Sequence, residues 1–169
     1  MANEYNFSVP NTNSLYETQF GTYGAFQVGN DDPLYTNIDG AIRFTGITIA
    51  QGATIVEADI KIYESIVGGG AGSLNYDVYG IDEDNTAEFT SNPFSRSSTT
   101  ATYNYQRSLT QGQTFGSNVT NIVQEIVNRG GWSSGNAMGF KFLNHSSPAD
   151  VYVFTSNSSL NYGSYLIFK

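Results

Sequence analysis

The stretch from Ala41 to Glu64, AIRFTGITIAQGATIVEADIKIYE, constrains the chain most, because it writes two half-buried β-strands on either side of a hinge at Gln51, Gly52 and Ala53. Side chains alternate across a strand. Ile42 and Phe44 therefore share one face, while Ala41, Arg43 and Thr45 share the other. Beyond the hinge, Val56, Ala58, Ile60 and Ile62 form an apolar row with Glu57, Asp59 and Lys61 between them. Such alternation marks an antiparallel sheet with one face on a core and one in water. A surface of this kind supports binding or assembly more readily than catalysis.

The chain of 169 residues is long enough for one β-sandwich core and reads as a single domain over 14–169, preceded by a polar arm over 1–13 that contains Pro10. Its 18 glycines and 14% aromatic residues against 13% charged residues suit an all-β fold with many turns. A net charge of -8 without any Lys/Arg cluster argues against a nucleic-acid partner. No segment approaches the ~20 apolar residues of a membrane helix. The absence of cysteine removes disulfides, thiolate metal sites and cysteine nucleophiles together.

Further strands are expected at Leu15–Gln19, Ala25–Gly29, Gly40–Thr45, Thr54–Ser65, Ser73–Asp82, Thr99–Ser108, Asn136–Asn144, Val151–Ser156 and Ser164–Phe168, punctuated by Gly, Asn and Ser clusters. One segment reads as a helix, over 118–129. Val119, Ile122, Val123 and Ile126 fall on one face, Ser117 or Asn118 stands at the N-cap, and Gly130 stands where a left-handed residue would stop it.

Few side chains suggest chemistry. Asp82-Glu83-Asp84-Asn85 is the densest acidic run, and Asp82 and Asp84 are calcium candidates, although the spacing of a dedicated calcium loop is lacking. His145 is the sole histidine and no Gly-x-Ser-x-Gly turn accompanies it, so a nucleophilic triad is not expected. Aromatic residues are more suggestive. Tyr103 and Tyr105 alternate on one strand with Tyr76 on another, Tyr79 lies opposite to Tyr76, and Trp132 follows a Gly-Gly turn. These rings suit sugar stacking, a protein interface or the core, because tyrosine joins an apolar body to a polar tip.

The pair of motifs AIRFTGITIAQGATIVEADIKIY and NVTNIVQEIVNRGGWSSGNAMGFKF resembles jelly-roll modules related to DNRLRE-type and carbohydrate-binding domains, over about two thirds of the chain from Gly40 to Phe142. The resemblance implies an antiparallel β-sandwich of jelly-roll type with one short amphipathic helix, and no catalytic residue. Similar sequences occur in phage and environmental viral structural proteins. With Met1 at its start, no export signal and no catalytic partner domain in the sequence, the expectation is a non-enzymatic virion component. Such a protein would be assembled in the host cytoplasm and released by lysis. A phage capsid decoration or fibre protein is the expected form, with capsid or tail proteins, or further copies of itself, as partners and no resident cofactor. The alternative is a carbohydrate-binding module that grips a glycan through Tyr103, Tyr105 and Trp132.

Overall fold

The computed structural model describes residues 5–8, 14–18, 21–23, 26–31, 35–63, 73–90, 92–108, 114–145, 152–155 and 165–169. Within these, the strands are β1 (Tyr5–Ser8), β2 (Ser14–Thr18), β3 (Gly21–Tyr23), β4 (Phe26–Asp31), β5 (Tyr35–Phe44), β6 (Ala58–Tyr63), β7 (Ser73–Ile81), β8 (Ser98–Ser108), β9 (Thr114–Asn118), β10 (Met138–Asn144), β11 (Tyr152–Thr155) and β12 (Tyr165–Phe168). A single helix among them, α1, spans Thr120–Val127. No helix of the described residues is long and apolar enough to cross a membrane.

Two antiparallel sheets face each other. One has the order β1-β12-β6-β9 and the other β11-β4-β5-β10-β7-β8, with β2 paired to β5 and β3 to β2. The pairs β1·β12, β5·β10, β6·β9 and β7·β8 are nested, first strand with last and inward to the β7–β8 hairpin. That nesting is a jelly roll, in which one long folded ribbon wraps into a sandwich. Strands β2, β3, β4 and β11 extend the larger sheet beyond the nested set.

The nested pairing places Tyr5–Ser8 within a sheet, against Phe168–Tyr165. The described part of the expected 1–13 arm is therefore a strand, consistent with the period of two in Tyr-Asn-Phe-Ser. Strands β3 and β9 also went unanticipated.

The core follows the predicted rows for the most part. Ile42, Phe44, Ala58, Ile60 and Ile62 are fully buried, beside Phe26, Phe140 and Phe142. Phe26 meets Phe142 edge-on at 5.0 Å, and Phe44 meets Phe140 at 5.9 Å. Val56 departs from its row. It is 72% exposed because β6 begins only at Ala58, and the backbone at Val56 is bonded instead to the C-terminal residue, donating to the Lys169 carbonyl at 2.8 Å.

Helix α1 is shorter than expected and capped differently. Val119 occupies the N-cap without a side-chain bond, while Asn118 Oδ1 accepts the Thr120 N–H at 3.2 Å. Gly130 is not left-handed; the chain leaves α1 through tight turns in which Arg129 N donates to Ile126 O and Trp132 N to Arg129 O, both at 3.1 Å. Its apolar face, Ile122, Val123, Ile126 and Val127, is buried. Gly80 makes that docking possible, since a Cβ there would lie 2.7 Å from Ile122 Cγ2 and 2.9 Å from Ile126 Cδ1.

Candidate functional site

The rings singled out from the sequence lie mostly inside the sandwich. Trp132 is 2% exposed and its Nε1 donates to the Ile49 carbonyl at 3.0 Å, so the indole fills the core beside α1. Tyr105 is 5% exposed and stacks on Tyr76 with centroids 4.8 Å apart and an 11° interplanar angle. Register explains this, because β8 residues Tyr103 and Tyr105 stand opposite Val78 and Tyr76 on the inward face. Tyr103 is half-buried against the same core. Tyr76 goes further and ties the two sheets together, its hydroxyl lying 2.9 Å from buried Ser117 Oγ on β9. Trp132 and Tyr105 thus present no ring face to solvent.

Asp82 and Asp84 are brought together, but around a cation. Arg129 Nε donates to Asp84 at 2.7 Å and its Nη1 to Asp82, and the Asp84 bond foremost raises the arginine pKa. A guanidinium in this position neutralises the carboxylates that would otherwise draw calcium. No group of three or more His, Cys, Asp or Glu side chains among the described residues is placed to hold a metal.

The outward face of β7 and β8 carries the exposed chemistry. Asn75, Asp77 and Tyr79 of β7 stand opposite Gln106, Asn104 and Thr102 of β8. Asn104 Nδ2 donates to Asp77 Oδ1 at 2.8 Å and to Asn75 Oδ1 at 3.2 Å, while Thr102 Oγ1 donates to the Val78 carbonyl at 3.0 Å. Amides, hydroxyls and one carboxylate on a rigid sheet, beside a half-buried tyrosine, can recognise a polyhydroxylated ligand or a polar protein surface.

This face is bounded by a strap, formed by residues 82–90 and 92–97, that folds back over the larger sheet. Phe89 and Phe94 pack with Ala41 and Ile81 in a second apolar cluster on the side of the sheet away from the main core. Arg96 fastens the strap to itself, with its guanidinium 5.4 Å from the Phe89 ring and bonds to the Ala87 and Glu88 carbonyls at 3.0 and 3.2 Å. Two basic residues of the sheet fasten it below. Arg43 Nε donates to the Thr86 carbonyl at 2.6 Å, and Lys141 Nζ to the Arg96 carbonyl at 2.7 Å. Burial lowers the pKa of both; for Arg43 Glu88 opposes the shift and Arg96 adds to it.

Glu125 of α1 governs the start of β8. The register slips between Tyr79 and Ile81, where the single β7 residue Gly80 spans three of β8, Thr99 to Ala101, so part of β8 leaves the ladder. Thr99 Oγ1 replaces a ladder partner by accepting from Gly80 N at 2.9 Å and donating to Ala101 O at 2.9 Å. Glu125 accepts the Thr100 and Ala101 N–H groups, both at 2.7 Å. The sequence signal available was slight: Glu125 reads only as the polar side of an amphipathic helix, and Lys141 as one charge in an apolar strand.

Scanned against protein-family models the sequence matches none, and it matches no curated protein either.

Proposed function

We propose that this chain is a non-catalytic structural protein of a virus particle, a capsid decoration or fibre protein that acts through its surfaces. The observation that carries the reading is where the reactive side chains are spent. Glu125, Arg129, Asp82, Asp84, Arg43 and Lys141 each hold one part of the sandwich to another, which makes a rigid jelly roll with polar sheet surface left over for contact. The motif resemblance to viral jelly-roll modules points the same way. Density-gradient purification of particles from a producing lysate, followed by quantitative mass spectrometry, tests it. Fixed stoichiometry with the capsid protein supports the role, and absence from the particles overturns it.

A second reading, glycan recognition, is favoured by the outward face of β7 and β8, where Tyr79 adjoins the Asn75, Asp77 and Asn104 network. This moves the expected sugar contact from the inward Tyr105 to the opposite face of the same strands. Glycan-array binding abolished by Asp77→Ala and Tyr79→Ala, with the fold intact, would support it. Retention of binding in both variants would exclude this face.

A further inference from the structure

Carboxylates on this chain are mostly answered by cations. Glu57 pairs with Lys169, Asp59 with Lys61, Glu83 with Arg96, and Asp82 and Asp84 with Arg129. Glu88 lies near enough to Arg43 to raise its pKa, and Glu125 accepts two main-chain N–H groups of β8. Asp77 stands apart. Its Oδ1 accepts the neutral Asn104 amide at 2.8 Å, and among the described residues its Oδ2 accepts no bond. The same amide donates to Asn75 Oδ1 at 3.2 Å, so the carboxylate is held in place by neighbours that leave its charge unanswered.

None of the seven Lys and Arg side chains meets it. Lys141, diagonal to Asp77 across the β7·β10 pair, is 2% exposed with its Nζ on the Arg96 carbonyl, and burial alone shifts its pKa. Arg43 and Arg96 are committed to strap carbonyls, and Arg107 stands opposite Leu74 on the other face of the sheet. Lys61, Arg129 and Lys169 are in the ion pairs above. A second acid adds to the field instead. Asp39, next along β5 from the Gly40–Phe142 pair, shares the outward face two strands from Asp77, about 10 Å away. Tyr79 follows Asp77 by two residues, about 7 Å along the same face, and is half-buried.

We infer that the outward face around Asp77 takes a glycan that carries protonated amines, an amino-sugar polymer of the glucosamine kind. The inference rests on the glycan reading of this face and adds the class of sugar. Charge selects the occupant. An ammonium can reach Asp77 Oδ2 from a sugar lying against the Tyr79 ring, while Asn75, Asn104, Thr102 and Gln106 offer amides and hydroxyls to its hydroxyl groups. A glycan of acidic sugars would bring carboxylates toward Asp77 and Asp39 with no cation to meet them, on a chain whose net charge is -8. A lysine-rich peptide also brings ammonium groups, but each sits on a flexible stem whose ordering costs entropy, whereas a sugar ring holds its amine and its hydroxyls in one rigid frame.

The test is titration calorimetry of the whole chain with deacetylated chitotetraose, its N-acetylated form, tetragalacturonate and tetralysine. All are compared in one mildly acidic buffer that keeps the amines protonated, so the charge on exposed His145, whose N–H donates to the Asn75 carbonyl, is common to every arm. Deacetylated chitotetraose should bind about fivefold or more tighter than the N-acetylated form, as one added ion pair allows, and tetragalacturonate should not bind. Asp77→Asn should erase that difference, whereas Glu88→Gln, which removes the same charge from the exposed strap, should keep it. Trp132 emission verifies folding, and if Asp77→Asn does not fold, the comparison of ligands on the parent chain decides. Equal or tighter binding of the N-acetylated form overturns the inference and leaves the glycan reading standing, while binding of none of the three sugars overturns both. Tetralysine binding as tightly as chitotetraose, or equal losses in Asp77→Asn and Glu88→Gln, would reduce the effect to attraction of any cation and overturn the choice of an amino sugar.

Discussion

Replacing Glu125 by alanine should reveal how much of the sandwich depends on one helix side chain. Its carboxylate accepts two main-chain bonds of 2.7 Å from a segment of β8 that has slipped out of register with β7. Hydrogen bonds to charged groups contribute ~1.5–3 kcal/mol each. Thr100 is exposed, so water recovers much of its bond, whereas Ala101 is half-buried and recovers less. The expected loss for Glu125→Ala is therefore about 3 kcal/mol, with Glu125→Gln intermediate because one oxygen acceptor remains. For a domain of this size the loss corresponds to a fall in Tm of roughly 6–12 °C. Urea denaturation followed by Trp132 fluorescence measures it directly, since this sole tryptophan is 2% exposed and must enter water on unfolding. A Glu125→Ala protein within ~0.5 kcal/mol of the parent would show that the clamp carries no weight.

Four other outcomes are expected. Gly80→Ala should destabilise by about 1–3 kcal/mol, because its Cβ would lie 2.7 to 2.9 Å from Ile122, Ile126 and Thr99 and α1 would have to shift; an unchanged urea midpoint would contradict that contact. Thr86 is 1% exposed and its Oγ1 has no hydrogen-bond partner among the described residues, so Thr86→Val should be neutral or stabilising by ~1 kcal/mol, and a clear loss would reveal a hidden partner. Burial holds Lys141 below its ordinary 10.5, so the unfolded chain binds that proton more tightly and stability gains a rising contribution from the lowered folded value up to 10.5. The parent should thus gain on Lys141→Met with alkaline pH, and a pH-independent difference in unfolding free energy would argue against the burial. Millimolar calcium should leave Tm unmoved while Arg129 holds Asp82 and Asp84; a rise lost in an Asp82→Asn, Asp84→Asn protein would restore the calcium reading.

Local periodicity was enough to define which residues alternate and therefore which face of a strand is apolar. Ile42 and Phe44, Ile60 and Ile62, and the stripe of α1 are buried as their spacing demands. The all-β class, the one helix and most strand positions follow from the same short-range pattern, since strand and helix periods are properties of neighbouring residues. Periodicity does not say what covers the other face. Ala41 and Arg43 alternate as an outward row should, yet the strap carrying Thr86, Phe89 and Phe94 returns over them and Ala41 is completely buried. Likewise Val56 continues an apolar row in sequence while the strand it would join has not begun. The inward facing of Tyr105 was settled by its register with Tyr76, the burial of Trp132 by a carbonyl 83 residues away, and the pinning of the start of β8 by the reach of Glu125. These are long-range pairings, and their partners lie far apart along the chain, where only the closed jelly roll brings them within hydrogen-bonding distance.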